Sequence, residues 1–325
     1  MTRLRLLLLP WVALFLTHAF ANDLDQPPRP ISPVLVGTNL WYGMPADAVW
    51  RQTREAKIRL IRIGGHAYDQ KPPSADTLVE WVKKIRSIGA EPILQVSQYQ
   101  SAEQAAETVA LFNRRRAAGA PVQFWTIGNE PWLQNGQPAD LTKIAERVAG
   151  YFKPTAAAMK LVDPSIKIYG PNESYLIPEL YASLFGGAHD ITGRVPEKGY
   201  YYIDGLTWHR YPQTENEPGL AEIQGFQDSM RRSREWVDAV NARHQRVGEQ
   251  ALQWGIGEFN AKGGPQVHTF GNGQMFGAVY GFAMVYGASF AKSLRWPPDF
   301  GHRELEISYG VESWWEIRRG SFGRQ

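Results

Sequence analysis

The chain has 325 residues, more than one small domain needs and within range for a single α/β barrel. Its net charge is +3, and no Lys/Arg block interleaves with aromatics, which argues against a nucleic-acid partner. Cysteine is absent, so no disulfide braces the fold and its stability must come from its core.

Residues 1–21, MTRLRLLLLPWVALFLTHAFA, begin with Arg3 and Arg5, continue into an apolar run and end on Ala19-Phe20-Ala21, a small-x-small pattern. This predicts a secretory signal cleaved before Asn22, hence a secreted or periplasmic protein that leaves the membrane once cleaved. A retained anchor is the alternative, but the run is short and broken by Pro10. Without the leader's arginines the mature chain is close to neutral. Residues 22–33 are Pro-rich and predict an extended lead-in.

From residue 34 a rhythm sets in. Apolar runs rich in Val and Ile occur at 34–39, 58–65, 92–97, 124–130, 166–172, 203–209 and 254–259. Between them lie segments with apolar residues at three- and four-residue spacing, such as 75–89, 102–119 and 139–162. Strand and helix alternating in this way imply parallel strands joined by crossover helices. Seven units fit a (β/α)8 TIM barrel over 34–296 better than an open doubly wound sheet. No Gly-x-Gly-x-x-Gly follows the first strand, which removes the simplest dinucleotide-binding reading.

The eighth unit is the weak point. ASFAKSLRW (288–296) offers a short apolar run ending in Trp296, the candidate rim tryptophan. Residues 297–325 show no helix or strand period. The expectation is an atypical or incomplete eighth strand and tail, replaced through a frameshift or truncation.

Each of the seven runs closes with groups able to do chemistry: Asn39, Arg62 with His66, Gln95 with Gln98, Asn129 with Glu130, Asn172 with Glu173, His209 with Tyr211, and Glu258 with Asn260. In a barrel the C-terminal strand ends share one rim, so these residues would surround one pocket. Glu130 closes the fourth strand and Glu258 the seventh, on opposite sides of that rim. Two facing carboxyl groups are what glycoside hydrolysis needs, one to protonate the leaving oxygen and one to attack or to activate water. Twelve Trp and fourteen Tyr serve either a bulky core or the stacking of sugar rings.

Here the chain resembles a large superfamily, the retaining glycoside hydrolases of clan A with (β/α)8 barrels. IGNEP (127–131) is similar to the clan's acid/base motif at strand four, and GIGEFN (255–260) to its nucleophile motif at strand seven. The resemblance covers residues 34–290. It implies Glu130 as acid/base and Glu258 as nucleophile, with Asn129 on the sugar 2-hydroxyl. Tyr211 of WHRYP (208–212) would lie against the nucleophile, and His209 in the sugar subsite or beside the acid/base. Arg62 would touch Glu258 and keep it ionised, with a structural ion pair as the other reading. An apolar surround built from Trp125, Pro131 and Trp132 would keep Glu130 protonated.

Asn172 either lines the cleft or caps a loop. Trp41 and Trp208 either stack on sugar or pack, and the loop 186–201 is a candidate subsite wall. The seven histidines are scattered, without His-x-x-x-His or His-Glu-x-x-His spacing, so no metal and no other cofactor is expected. The partner expected is a β-linked oligo- or polysaccharide, with the protein a monomer. Transglycosylation by the same glutamates, or a carbohydrate-binding pseudoenzyme, are the alternatives.

Overall fold

A computed structural model describes residues 29–40, 43–132, 140–212, 220–261 and 265–294. The predicted signal 1–21, Trp41, Trp296 and the tail 297–325 lie outside the described residues.

Eight parallel strands close into a barrel in sequence order. They are β1 (Val36–Leu40), β2 (Leu60–Ile63), β3 (Glu91–Val96), β4 (Phe124–Ile127), β5 (Lys167–Glu173), β6 (Gly205–Arg210), β7 (Gln253–Phe259) and β8 (Phe290–Ser293). Helices cross between them: α1 (Asp47–Glu55), α2 (His66–Gln70), α3 (Ala75–Ser87), α4 (Ala102–Val109), α5 (Leu141–Val162), α6 (Pro178–Leu184), α7 (Leu220–His244) and α8 (Phe270–Val285). Side chains cap several of them where the apolar period begins. Ser74 accepts from Thr77 N at α3, Ser101 and Gln104 form a capping box at α4, and Asp140 caps α5. Among the described residues no helix is long and apolar enough to cross a membrane.

The eighth strand, in doubt on sequence, is four residues long and pairs with both β7 and β1. Its register sets Val36 against Ala291 and Thr38 against Ser293. A short strand is enough, because closure needs only that both its edges be paired.

The barrel interior is layered. Leu60, Ile93, Tyr169 and Phe290 form an apolar plug toward the strand starts, with Phe124 and Val34 against it. Strand residues two further on point the same way, and there the filling turns polar: Arg62 follows Leu60, Gln95 follows Ile93, and Lys292 follows Phe290. The outer faces of the strands meet the helices in one large core that includes Trp125, Trp208, Trp254 and Phe259.

The loop 186–201 is not a subsite wall. Tyr201 Oη donates to the His244 carbonyl at the end of α7 (3.1 Å), and Gln250 Nε2 donates to the Gly199 carbonyl (3.1 Å). Both partners lie between the last residue of α7 and the start of β7, so the loop lies at the barrel's N-terminal face, opposite the strand ends. Its position after α6 and before β6 makes this unavoidable, because a helix-to-strand loop always falls on that face.

Candidate active site

Irregularities in β4, β5 and β7 aim the key side chains. Trp208 is opposite Ile256, but His209 is opposite Glu258, so Gly257 is an extra residue in β7. That bulge turns Glu258 inward beside His209, where strict alternation would send it outward with Ile256. Glycine is needed there, since a Cβ would lie 2.7 Å from the His209 ring. A second shift leaves Asn172 as the extra residue of β5, with φ 59°. At the end of β4, Glu130 itself adopts φ 44°, left-handed backbone that costs a non-glycine residue of order 1 kcal/mol or more.

These devices bring Glu130 and Glu258 together. One oxygen from each carboxylate and one ring nitrogen of His209 all lie within 4.8 Å of one another. His209 Nδ1 is 2.9 Å from Glu130 Oε1 and 3.6 Å from Glu258 Oε2. Tyr211 Oη donates to Glu258 Oε2 (2.8 Å), and Arg62 Nη1 donates to Glu258 Oε1. His209 and Tyr211 share a face because they are two apart on one extended segment.

Arg62 is fully buried and spends its guanidinium on four acceptors. Besides Glu258 these are Asn39 Oδ1 (3.3 Å), Gln95 Oε1 (2.7 Å) and Asn129 Oδ1 (2.6 Å). Gly64 leaves room for this, since a Cβ there would meet Gln95 Oε1 at 2.5 Å and Arg62 Nε at 2.9 Å. Burial pushes the Glu258 carboxyl up, but the charges of His209 and Arg62 and the hydrogen bonds from Tyr211 and Arg62 outweigh it. Glu258 is thereby held below the ordinary glutamate value. The Tyr211 hydroxyl is pushed well up, by burial first and then by the charges of Glu258 and Glu130, so it stays protonated as a donor.

The sequence candidates divide. Glu130, Glu258, Asn129, Arg62, His209 and Tyr211 converge at the strand ends. Asn172 is adjacent but wholly buried, and its carbonyl accepts from Glu130 N (2.9 Å), so its backbone shapes the turn that carries that glutamate. Trp208 is a correction. Its indole donates to Ser233 Oγ (2.8 Å) and tilts against Phe226 on α7, with no exposed surface, so it packs outside the barrel and cannot stack on sugar. Trp125 likewise faces outward: its Nε1 donates to the Val122 carbonyl and its ring meets Phe112 edge-on, so it does not enclose Glu130.

The sequence reading missed Asp69, the one acidic residue of short α2. It is buried and accepts from Asn129 N (2.9 Å), Gln98 N (3.2 Å), Gln98 Nε2 (2.6 Å) and Gln95 Nε2 (2.9 Å). The sequence did single out Asn39, Gln95 and Gln98 as polar strand ends. It missed Lys292, which is buried in the barrel interior one layer below the glutamates.

Glu130, His209 and Glu258 are also, among the described residues, the group whose ligand atoms lie close enough to hold a cation. Arg62 already occupies one side of Glu258 as its counter-charge.

No protein-family model and no curated protein sequence matches the chain. Solved structures do. A glucosidase from Croceicoccus marinus superposes with TM-score 0.58 at 16% identity over 87% of this chain, which spans 65% of that protein's length. A family 51 α-L-arabinofuranosidase from Bifidobacterium longum gives 0.59 at 14% identity, covering 90% of this chain and 74% of its own. A family 44 xyloglucanase from Paenibacillus polymyxa gives 0.60 at 12% identity, covering 91% and 77%. At such identities the likeness is one of fold: the chain has the (β/α)8 barrel of these glycoside hydrolases, the class that its two glutamate motifs resemble.

Proposed function

We propose that the protein is a retaining glycoside hydrolase of the clan A type that cleaves a β-linked oligo- or polysaccharide. The observation that carries this reading is that one carboxyl oxygen of Glu130 and one of Glu258 lie within 4.8 Å of each other. Retaining pairs stand about 5 Å apart, whereas inverting pairs need roughly 6.5–9.5 Å to admit a water.

Glu258 is the nucleophile. Its carboxylate attacks the anomeric carbon while Glu130 gives its proton to the departing glycosidic oxygen. Glu130 then takes a proton from water, which attacks the glycosyl-enzyme and frees Glu258. Arg62 and Tyr211 keep Glu258 charged and oriented, as a nucleophile must be. His209, beside both carboxylates, suits the switch of Glu130 between acid and base. Asn129 turns its amide oxygen to Arg62, which leaves its Nδ2 to donate to the sugar 2-hydroxyl. The partner is a carbohydrate, and the leader supports export to the periplasm or medium.

Reducing-end release from β-glucans, xylans, mannans and galactans tests the reading, with Glu258→Gln as control. Release that vanishes in the variant supports it, and the responding polymer names the substrate. Polymer shortening without net reducing ends, or transfer to an added acceptor, would make the enzyme a transglycosylase. Binding without turnover would make it a pseudoenzyme.

A further inference from the structure

We infer that Asp69 and Glu173 are positioning residues that clamp the strained turn 128–132 from two sides and so hold the proton-donating carboxyl group of Glu130 in register with the glycosidic oxygen. The inference rests on the assignment of Glu130 as acid/base.

The turn needs holding. Gly128 (φ 73°) and Glu130 (φ 44°) are both left-handed, and only the glycine adopts that backbone without strain. β4 ends at Ile127, and beyond it the neighbouring strands reach the turn through the Val96 carbonyl, which accepts Gly128 N at 2.9 Å, and the Asn172 carbonyl, which accepts Glu130 N at 2.9 Å. The rest of what holds it comes from side chains. Asp69 Oδ2 accepts Asn129 N at 2.9 Å. Glu173 Oε1 accepts Trp132 N at 2.8 Å, and Arg147 Nη2 donates to the Pro131 carbonyl at 2.5 Å. Each end of the turn thus hangs its amide on an oxygen of a buried carboxyl group from a different part of the fold.

Neither carboxyl group faces the cleft. The Asn172 bulge turns Glu173 outward, opposite Trp208, into the layer between the barrel and its helices, where it is wholly buried. Asp69 approaches from α2. It also fixes Gln98, whose Nε2 donates to the Asn129 carbonyl at 3.1 Å, and Gln95, whose Oε1 accepts from Arg62 Nη2. One carboxylate therefore ties the turn of Glu130 to the guanidinium that holds Glu258. Two buried carboxyl groups are costly to retain in a fold, and strain at the turn is the feature that both of them serve.

A displaced acid harms only those reactions that need the acid. The test compares Asp69→Asn and Glu173→Gln with the unaltered enzyme on two aryl glycosides of the sugar that the polymer panel identifies. One carries phenol, a poor leaving group, and the other 2,4-dinitrophenol, which departs without a proton. A misplacement of about 1 Å costs on the order of 100-fold. The expected result is a fall in kcat/KM, which reports formation of the glycosyl-enzyme, of roughly 30- to 100-fold on the phenyl glycoside and less than about threefold on the dinitrophenyl glycoside, whose kcat and KM fall together because its hydrolysis still needs Glu130 as base. Equal losses on both glycosides would mean a general structural role and overturn the inference.

Amide hydrogen exchange of the segment 124–132 is the second arm and needs no substrate. Faster exchange there in either variant, with other segments unchanged, supports the clamp; unchanged exchange in both overturns it. Because the two carboxylates hold opposite ends of the turn, a variant that fails to fold leaves the other to decide. A wild type that cleaves neither glycoside would count against the glycosidase reading, and exchange would still decide the clamp.

Discussion

The two glutamates at the barrel mouth are held by opposite means. At the end of β7 the fold grips the carboxylate: Arg62 and Tyr211 both donate to Glu258, and the backbone behind it is regular apart from one bulged glycine. At the end of β4 the fold grips the backbone. The turn around Glu130 is pinned at Asn129, Glu130, Pro131 and Trp132, while its carboxyl group has His209 beside it. A nucleophile must stay charged and aimed, so donors on its oxygens serve it. A group that gives and retakes a proton is poorly served by strong donors, so its position is set from behind.

The sharpest way to break this comparison is to remove each carboxylate and offer azide. Glu130→Ala and Glu258→Ala should each lose about 10⁴-fold or more in kcat on glycosides with poor leaving groups. With the dinitrophenyl glycoside, azide should rescue both but through opposite faces. In the Glu130 variant the glycosyl-enzyme still forms, and azide attacks it where Glu130 stood, giving the β-glycosyl azide. In the Glu258 variant azide attacks from the vacated nucleophile side and gives the α-glycosyl azide. The same anomer from both variants would abolish the distinction.

The next effect is on charge. Arg62→Lys keeps one positive charge but cannot reach Asn39, Gln95, Asn129 and Glu258 together, because an ammonium lacks the planar fork. A loss of about 10²- to 10³-fold in kcat/KM is expected, comparable to removing an electrostatic stabiliser at an active site. The pH profile carries a sign. Arg62 helps hold Glu258 below its ordinary value, so weakening that contact lets the value rise, and the acid limb of kcat/KM moves to higher pH. A limb that moves to lower pH would show that Arg62 does not act on Glu258. Tyr211→Phe removes one neutral donor from the same carboxylate and should cost about tenfold, the worth of a hydrogen bond of roughly 1.4 kcal/mol. Its acid limb should shift the same way by less.

How far the sequence revealed this depends on which way side chains face. The strand ends were legible because each apolar run stopped at polar residues, and parallel strands must bring those ends to one rim. The tryptophans were not legible as a group. Trp208 could have been placed outside, however: once His209 and Tyr211 face inward, period-two alternation sends Trp208 to the helices. Alternation fails at β7, where only the bulge at Gly257 turns Glu258 inward, and no local sequence signal fixes a bulge. Asp69 carries no motif because its work is done on the backbone amide of a residue 60 positions away. The eighth strand was faint in the sequence for a related reason: it is only four residues long, and four suffice when two neighbours complete their hydrogen bonds.

The smallest predicted effect concerns Lys292, which shares the polar layer of the barrel but not its grip on the glutamates. Its side chain fills the space over Gly37, where a Cβ would lie 2.7 Å from Lys292 Cγ. Its amine is buried without a hydrogen-bond partner among the described residues. Burial drives the amine well below the ordinary lysine value, and the Arg62 charge adds to this against the opposing pull of Glu258. The unfolded chain keeps that proton up to the ordinary value of 10.5, so between the two values it binds more protons than the native state, and stability must rise with pH there. Lys292→Met keeps the stem and deletes the unpaired amine. It should raise stability by about 1 kcal/mol, roughly 2–4 °C in Tm, and flatten that rise with pH. A less stable variant with the original pH slope would mean that the amine is paired and charged, and would make Lys292 a second cationic support of the site beside Arg62 rather than a filler of its floor.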